Sequence, residues 1–256
     1  METLTKFKPE QLAKYKGKMQ IKTIKFAENG YMKQGFAFGG EDGPDRHDNN
    51  VLYRSGLQNY LIDTGDDVIL IDTGFPRNFP VPIPDEKTMI YTGKKINDYI
   101  DGLAKLGYKP EQITKIIITH KHIDHTGEVN SFPNAKVYAS RVECESNELK
   151  GCKNLIPVDF TSGTYYNYEK SEIIAPGIRM LPAVGHTMGN SIAVAELDGI
   201  FYIFQGDVTY TDEALYANRL SDFYEDINEA RKTLNTLREF IKEHPCVSLN
   251  SYTTWI

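Results

Sequence analysis

Within six consecutive positions the chain places His120, His122, Asp124 and His125, in the run Thr119-His120-Lys121-His122-Ile123-Asp124-His125-Thr126-Gly127. Imidazole and carboxylate are the usual donors to zinc and similar divalent ions. In a loop, residues two apart can point the same way, so His120 and His122 can share one ion. Asp124 and His125 then face a second ion close by. Three of the six histidines lie in this stretch, directly after an apolar, β-branched run at residues 113–119; incidental histidines in a polar loop do not cluster like this. Two divalent ions held side by side lower the pKa of a water between them and give a hydroxide nucleophile near neutral pH. Two more residues agree. His186 sits in Gly185-His186-Thr187-Met188-Gly189-Asn190, and Asp207 follows an apolar run in Gln205-Gly206-Asp207. Alone, the first reads as a surface or core histidine and the second as a turn residue. Beside the cluster, both read as ligands.

These residues need strand ends and loops to hold them. Apolar runs at residues 58–63 and 68–72, joined by Gly65-Asp66-Asp67, predict a hairpin. Four prolines at residues 75–84 predict a long irregular loop, and residues 39–50, rich in Gly, Asp and Asn, predict another. Ile96, Ile100, Leu103 and Leu106 recur at helical spacing, so a helix is expected over residues 94–106 with Gly107 as its C-cap. Residues 113–119 read as a buried strand running into the histidine cluster, and 137–139 as a short strand. Residues 191–197 and 200–205 around Asp198-Gly199 form the clearest hairpin, and it delivers Asp207. Ile227, Ala230, Leu234, Leu237 and Ile241 mark one face of a helix ending near Pro245. This order predicts an α/β chain folded as one layered αββα domain over residues 1–256.

Composition narrows the partners. A net charge of −6 argues against a nucleic-acid surface, and the basic stretch at residues 14–25 reads as a solvated N-terminal face. Three cysteines, Cys144, Cys152 and Cys246, give no disulfide framework. No apolar run approaches the ~20 residues that span a bilayer, and residues 1–10 lack the apolar core of a signal peptide. A cytoplasmic protein without membrane or nucleic-acid partners is expected.

The pieces His-Lys-His-Ile-Asp-His at 120–125, Gly-His-Thr at 185–187, Gly-Asp at 206–207 and Ile71-Asp72-Thr73-Gly74 stand in the order found in the metallo-β-lactamase superfamily, which the chain resembles over most of its length. The resemblance implies that His120, His122 and His186 hold one metal, that Asp124 and His125 contribute to another, that Asp207 bridges both, and that Asp72 supports the ligands from behind. One ion would also polarise a substrate carbonyl, giving hydrolysis of an ester, thioester, amide or lactone. Asp207-Val208-Thr209-Tyr210-Thr211, Gly189-Asn190-Ser191 and residues 211–220 look like the N-acyl-homoserine lactonase branch, whose members quench quorum signals. There Tyr210 would hydrogen-bond the lactone carbonyl and Asp124 would sit in the catalytic site. Zinc fits the ligands, as do iron, cobalt and manganese. The substrate would be a small acyl lactone, and the resemblance suggests a homodimer using the N-terminal segment or the Pro-rich loop. Tyr31, Met32, Phe36, Phe38, Tyr165, Tyr166 and Tyr168 are aromatic or apolar candidates for an acyl pocket. Two alternatives stay open: another ester or thioester hydrolase of this fold, similar to glyoxalase II, or a binding-only relative with an impaired site.

One feature departs from the family. Its second metal has a further His after the last strand, but the only late histidine here is His244, before Pro245 at a helix end. Codons for residues 247–256 can be chosen so that reading one base later gives F-L-S-T-H-T-P-L-G-Y, similar to the family's final strand and ligand. The expectation is a frameshifted C-terminus after residue 245, with the last strand lost, stability reduced and the second metal site weakened.

Overall fold

Strands buried on both faces read as continuous apolar runs, and their period-two alternation shows only when each residue's neighbours are known. A computed structural model describes residues 19–80 and 82–252, and the signal-peptide reading at residues 1–10 and the basic residues before 19 lie outside them. The first half of the chain builds β1 (Gln20–Lys33), α1 (Gln34–Phe38), β2 (Leu52–Asp63), β3 (Val68–Ile71), β4 (Ile90–Tyr91), β5 (Lys94–Lys95), α2 (Tyr99–Lys105), β6 (Lys115–Ile117), α3 (Ile123–Thr126), β7 (Lys136–Ser140), α4 (Arg141–Cys144) and β8 (Leu155–Val158). These strands form one sheet in the order β4-β1-β2-β3-β6-β7-β8, with β5 also paired to β1. The second half gives β9 (Glu172–Ala175), β10 (Ile178–Pro182), β11 (Ser191–Leu197), β12 (Ile200–Phe204), α5 (Asp212–Ala217), α6 (Ile227–Glu243) and β13 (Cys246–Leu249). The second sheet runs β13-β12-β11-β10-β9.

Alternation sorts the layers. Tyr60, Ile62, Ile69, Ile71 and Ile117 of the first sheet meet Ile178, Met180, Ala193, Ala195 and Phe204 of the second. Their neighbours Leu57, Leu61, Leu70 and Ile116 turn the other way and pack with Leu103 of α2. On the outer face of the second sheet, Ile192, Val194, Phe201 and Ile203 pack against Leu234, Leu237 and Phe240 of α6. Each such side chain contributes about 1.5–3 kcal/mol when fully buried, so the apolar face of α6 anchors it more than helix propensity does. Asp226 caps that helix by accepting the N–H groups of Asn228 (2.8 Å) and Glu229 (3.0 Å). The result is the expected αββα arrangement, and both expected hairpins form, β2 with β3 and β11 with β12, each antiparallel.

Three expectations are corrected. The residues from Gln20 are not a solvated basic face but a long strand, with Ile24, Phe26 and Ala27 buried between the lysines. The helix expected from residue 94 begins at Tyr99, because Lys94 and Lys95 pair with β1 and Ile96 N–H donates to Phe26 O at 3.0 Å. The last strand is kept: Cys246–Leu249 lies parallel to β12 in the register Phe201–Cys246 to Phe204–Leu249. Cysteines 144, 152 and 246 are free thiols, as expected.

Candidate metal centre

Parallel neighbours deliver their C-terminal ends to the same edge. The β3–β6 pair brings Asp72 beside Thr119 and His120, and the β12–β13 pair brings Asp207 and Tyr252 to that edge from the other sheet. Asp72 follows β3 with φ of +64°, a strained conformation for a non-glycine residue. Its carboxylate holds it there. Oδ1 accepts the Thr119 N–H at 2.8 Å, and Oδ2 accepts the Thr119 hydroxyl at 2.9 Å and the His125 Nδ1–H at 2.8 Å. Gly206, with φ of +54°, lets the end of β12 approach closely; a Cβ there would sit 2.9 Å from Thr119 Oγ1.

The cluster itself turns on α3. His122 is its N-cap residue, and the single turn buries Asp124 and His125 while Ile123 points to solvent. The His186 loop is held from three sides. Gly185 has φ of +137° and lies against the start of α6, where a Cβ would meet Ala230 N at 2.2 Å. The His186 Nδ1–H donates to Phe223 O at 3.0 Å. Buried Glu143 accepts the Thr187 hydroxyl (2.7 Å) and the Gly189 N–H (2.9 Å). Glu225 ties the two ligand loops together by accepting from Met188 N–H at 2.7 Å and Lys121 Nζ at 2.6 Å.

The donor atoms converge. His122 Nδ1 stands 2.9 Å from His120 Nε2 and 3.0 Å from His186 Nε2. Asp207 Oδ2 lies 3.4 Å from His186 Nε2 and 3.8 Å from His120 Nε2. Together these four donor atoms lie within 4.8 Å of one another. Outer hydrogen bonds turn the rings toward that point: Thr119 Oγ1 lies 3.0 Å from His120 Nδ1 and Phe223 O holds His186 Nδ1, leaving each Nε2 facing inward. Burial pushes the pKa of His120 well below its ordinary value, with His125, His186 and His122 adding to the shift. Burial also lowers His122 and His186. Neutral imidazoles with converging lone pairs are what a divalent ion requires.

Asp207 faces both ways. Its other oxygen, Oδ1, lies 3.2 Å from His125 Nε2, and Asp124 Oδ2 is 3.6 Å from the same nitrogen. Both His125 Nε2 and Asp207 Oδ1 are buried, and beyond this mutual contact neither has a hydrogen-bond partner. Burial opposes charge on His125, but Asp207, Asp124 and Asp72 outweigh it and raise its pKa well above the ordinary value. Three carboxylates around one imidazole therefore call for a cation, and the residues present fit metal at this place.

Tyr210 is buried beside the donors, with its ring 6.0 Å from that of His186 and stacked on Phe36 at 4.9 Å. Of the acyl-pocket candidates, Phe36 reaches this neighbourhood. Tyr165, Tyr166 and Tyr168 instead pack on Phe240 of α6. His244 packs on Phe240 and Tyr166, in that same apolar cluster. Sequence reasoning missed Glu143, Glu225 and Tyr252. None stands in a local pattern, since each meets the site through contacts from distant parts of the chain.

A family model described as the metallo-beta-lactamase superfamily matches residues 58–242. The chain belongs to the metallo-beta-lactamase superfamily. An N-acyl homoserine lactonase from a Bacillus species is 27% identical over 210 residues, covering 73% of this chain and 78% of that one. A second, from Bacillus cereus, is 27% identical over 201 residues with the same coverage. Among solved structures, a quorum-quenching N-acyl homoserine lactone hydrolase superposes with a TM-score of 0.70 at 20% identity, covering 92% of each chain. A probable metal-dependent hydrolase from Staphylococcus aureus reaches 0.70 at 19%, covering 92% of this chain and 90% of that one. At such identities the superpositions show the shared metallo-beta-lactamase fold. No helix among the described residues is long and apolar enough to cross a membrane.

Proposed function

We propose that this chain is a metal-dependent hydrolase that opens the lactone ring of N-acyl-homoserine lactones, a small-molecule signal-quenching activity. The observation that carries the reading is the convergence of His120, His122, His186 and Asp207 on one point, with Asp124 and His125 alongside and Tyr210 buried next to His186. The lactonase names of the sequence relatives support the substrate class. His120, His122, His186 and Asp207 would hold one divalent ion, zinc by donor type; Asp124, His125 and the second oxygen of Asp207 would hold another. Bound ions of this kind supply a water of lowered pKa and an electrophile for a carbonyl oxygen.

The chain's own residues do the rest. Asp72 keeps the Nδ1 proton on His125, so the ring presents Nε2 to the site. Burial, then the charges of Asp207 and Asp124, holds the Tyr210 phenol well above its ordinary pKa. It therefore stays protonated, as a hydrogen-bond donor to the carbonyl oxygen as that oxygen gains charge requires. Phe36, stacked on Tyr210, fixes the ring and adds an apolar wall for an acyl chain.

The test is ring opening of N-hexanoyl-homoserine lactone, followed by proton release with zinc-loaded and chelator-stripped protein. Zinc-dependent opening is the expected result. Hydrolysis of thioesters or simple esters with no lactone opening would overturn the substrate assignment and favour the glyoxalase-II-like reading.

A further inference from the structure

The segment between α5 and α6 is pinned at two places. The Asp222 N–H donates to Phe36 O at 2.8 Å, and Phe36 is the ring stacked on Tyr210. The Phe223 carbonyl accepts the His186 Nδ1–H at 3.0 Å, and the Glu225 N–H donates to Gly185 O at 2.9 Å. The backbone at Phe223 is therefore fixed without help from its side chain. That side chain is 55% exposed, yet its ring centroid stands 5.5 Å from those of both His122 and His186, at 61° and 54°. Edge-on and tilted ring pairs at this distance attract, so the two imidazoles hold part of the phenyl and leave the rest in water. Met188, two residues after His186, is 45% exposed, and its N–H is tied to Glu225 Oε2 at 2.7 Å. Single exposed apolar side chains are ordinary on a protein surface; Ile173 on the edge strand β9 is one, at 52%. Phe223 differs in standing directly on two residues that converge with His120 and Asp207. Apolar surface left wet beside a reacting centre is surface that a bound substrate covers.

We propose that the Phe223 ring is the wall on which the acyl tail of the substrate lies, so that Phe223 sets the preference for tail length. The inference rests on the lactonase reading above and deepens it. In an N-acyl-homoserine lactone the tail is joined through an amide to the carbon next to the ring carbonyl. When that carbonyl reaches the first metal position, that of His120, His122, His186 and Asp207, the first methylenes of the tail are only a few bonds away. A phenyl 5.5 Å from two rings of that position is within their reach. Covering methylenes on a phenyl removes apolar area from water and has no directional demand. It therefore strengthens the bound substrate and the transition state alike, and such uniform binding appears in KM rather than in kcat. The two aromatic residues divide the work: Tyr210 acts on the carbonyl and Phe223 on the tail.

The experiment uses the full zinc-loaded chain and compares wild type with Phe223→Ala, Phe223→Leu and Ile173→Ala, the last a control for losing an equally exposed apolar side chain. Steady-state kinetics are measured on N-butanoyl-, N-hexanoyl- and N-octanoyl-homoserine lactone. Binding of ring-opened N-hexanoyl-homoserine is measured by calorimetry, and zinc is counted in each preparation. In wild type KM should fall as the tail lengthens. Phe223→Ala should raise KM about fourfold for each methylene that the ring covers, so the loss grows from the butanoyl to the octanoyl lactone, with zinc content kept. Product affinity should fall by about tenfold or more. Phe223→Leu should recover most of the preference, and Ile173→Ala should match wild type. Loss of zinc in Phe223→Ala, an equal loss on all three lactones, or an unchanged profile would overturn the assignment. A wild type that opens no lactone but binds N-hexanoyl-homoserine through Phe223 would overturn the substrate reading and keep this one. Lactone opening with an unchanged profile in Phe223→Ala would do the reverse, and neither opening nor binding in wild type would overturn both.

Discussion

Asp72 grips His125 from behind: the carboxylate accepts the ring's Nδ1–H at 2.8 Å, while Nε2 on the far side is buried and faces Asp207 Oδ1 at 3.2 Å. The same carboxylate takes both donors of Thr119, whose hydroxyl oxygen lies 3.0 Å from His120 Nδ1. One residue thus sets the tautomer of a ring assigned to each metal position. Asp72→Asn keeps the volume but puts an amide where a charged acceptor stood. It should weaken zinc binding about 10–100-fold, measured by competition with a chromophoric chelator, with the loss larger at the second position.

Protonation gives a second prediction, for the metal-stripped chain. Burial lowers the folded-state pKa of His120, His122 and His186. Below the ordinary value of about 6.5 the unfolded chain therefore binds protons that the folded chain refuses, and stability falls as pH drops. His125 is shifted the other way, by Asp207, Asp124 and Asp72 against burial. Its contribution is fully present below about pH 6.5 and is lost as pH rises through its raised folded value. Thermal melts of stripped protein from acid to alkaline pH should thus show a maximum near neutrality, and His125→Gln should remove the decline on the alkaline side. Zinc should remove the alkaline decline by taking the place of the proton on His125, and should steepen the acid limb, because protons compete with the ion for the same ligands. A stripped-protein melting temperature that climbs steadily with pH would contradict the assignment of His125.

Much of the proposed centre could be read from the chain because its candidate donors are local. His120, His122, Asp124 and His125 share one loop and one turn of helix behind a short buried strand, and His186 and Asp207 each follow a strand end. The hairpins announced themselves through Gly65-Asp66-Asp67 and Asp198-Gly199. Tyr252 could not be read, because its approach to Asp124 depends on β13 lying parallel to β12, a pairing between residues far apart in sequence. The long β1 was obscured by Lys22 and Lys25, whose charges break the apolar alternation although Ile24 and Phe26 are buried. The start of α2 was misplaced because pairing with β1 satisfies the backbone at residues 94–96 and outweighs helical spacing.

Gly185 offers a test of how tightly the His186 loop is built. An added Cβ would lie 2.2 Å from Ala230 N, and the φ of +137° is outside what side chains tolerate. Gly185→Ala should lower stability by more than about 1 kcal/mol, a Tm lower by at least roughly 2–4 °C, and should weaken zinc binding as His186 moves. Gly199→Ala is the control. It has φ of +79° but nothing within 4 Å of the new Cβ, so it carries backbone strain alone and should leave zinc affinity unchanged. Equal zinc affinity in both variants would mean that α6 gives way rather than the ligand loop.

Tyr210 separates binding from chemistry. Its ring is clamped between Phe36 at 4.9 Å and Tyr252 at 4.8 Å, so Tyr210→Phe leaves the packing in place and removes only the hydroxyl. If that hydroxyl donates to the carbonyl oxygen as negative charge develops on it, kcat for lactone opening should fall by about 10²–10³. KM and the zinc content should change little. The measurement is steady-state kinetics on protein whose metal content has been counted in the same preparation. A matching loss of zinc would place Tyr210 in support of the ligands instead. A rise in KM at constant kcat would make it a contact formed equally in the bound substrate and the transition state.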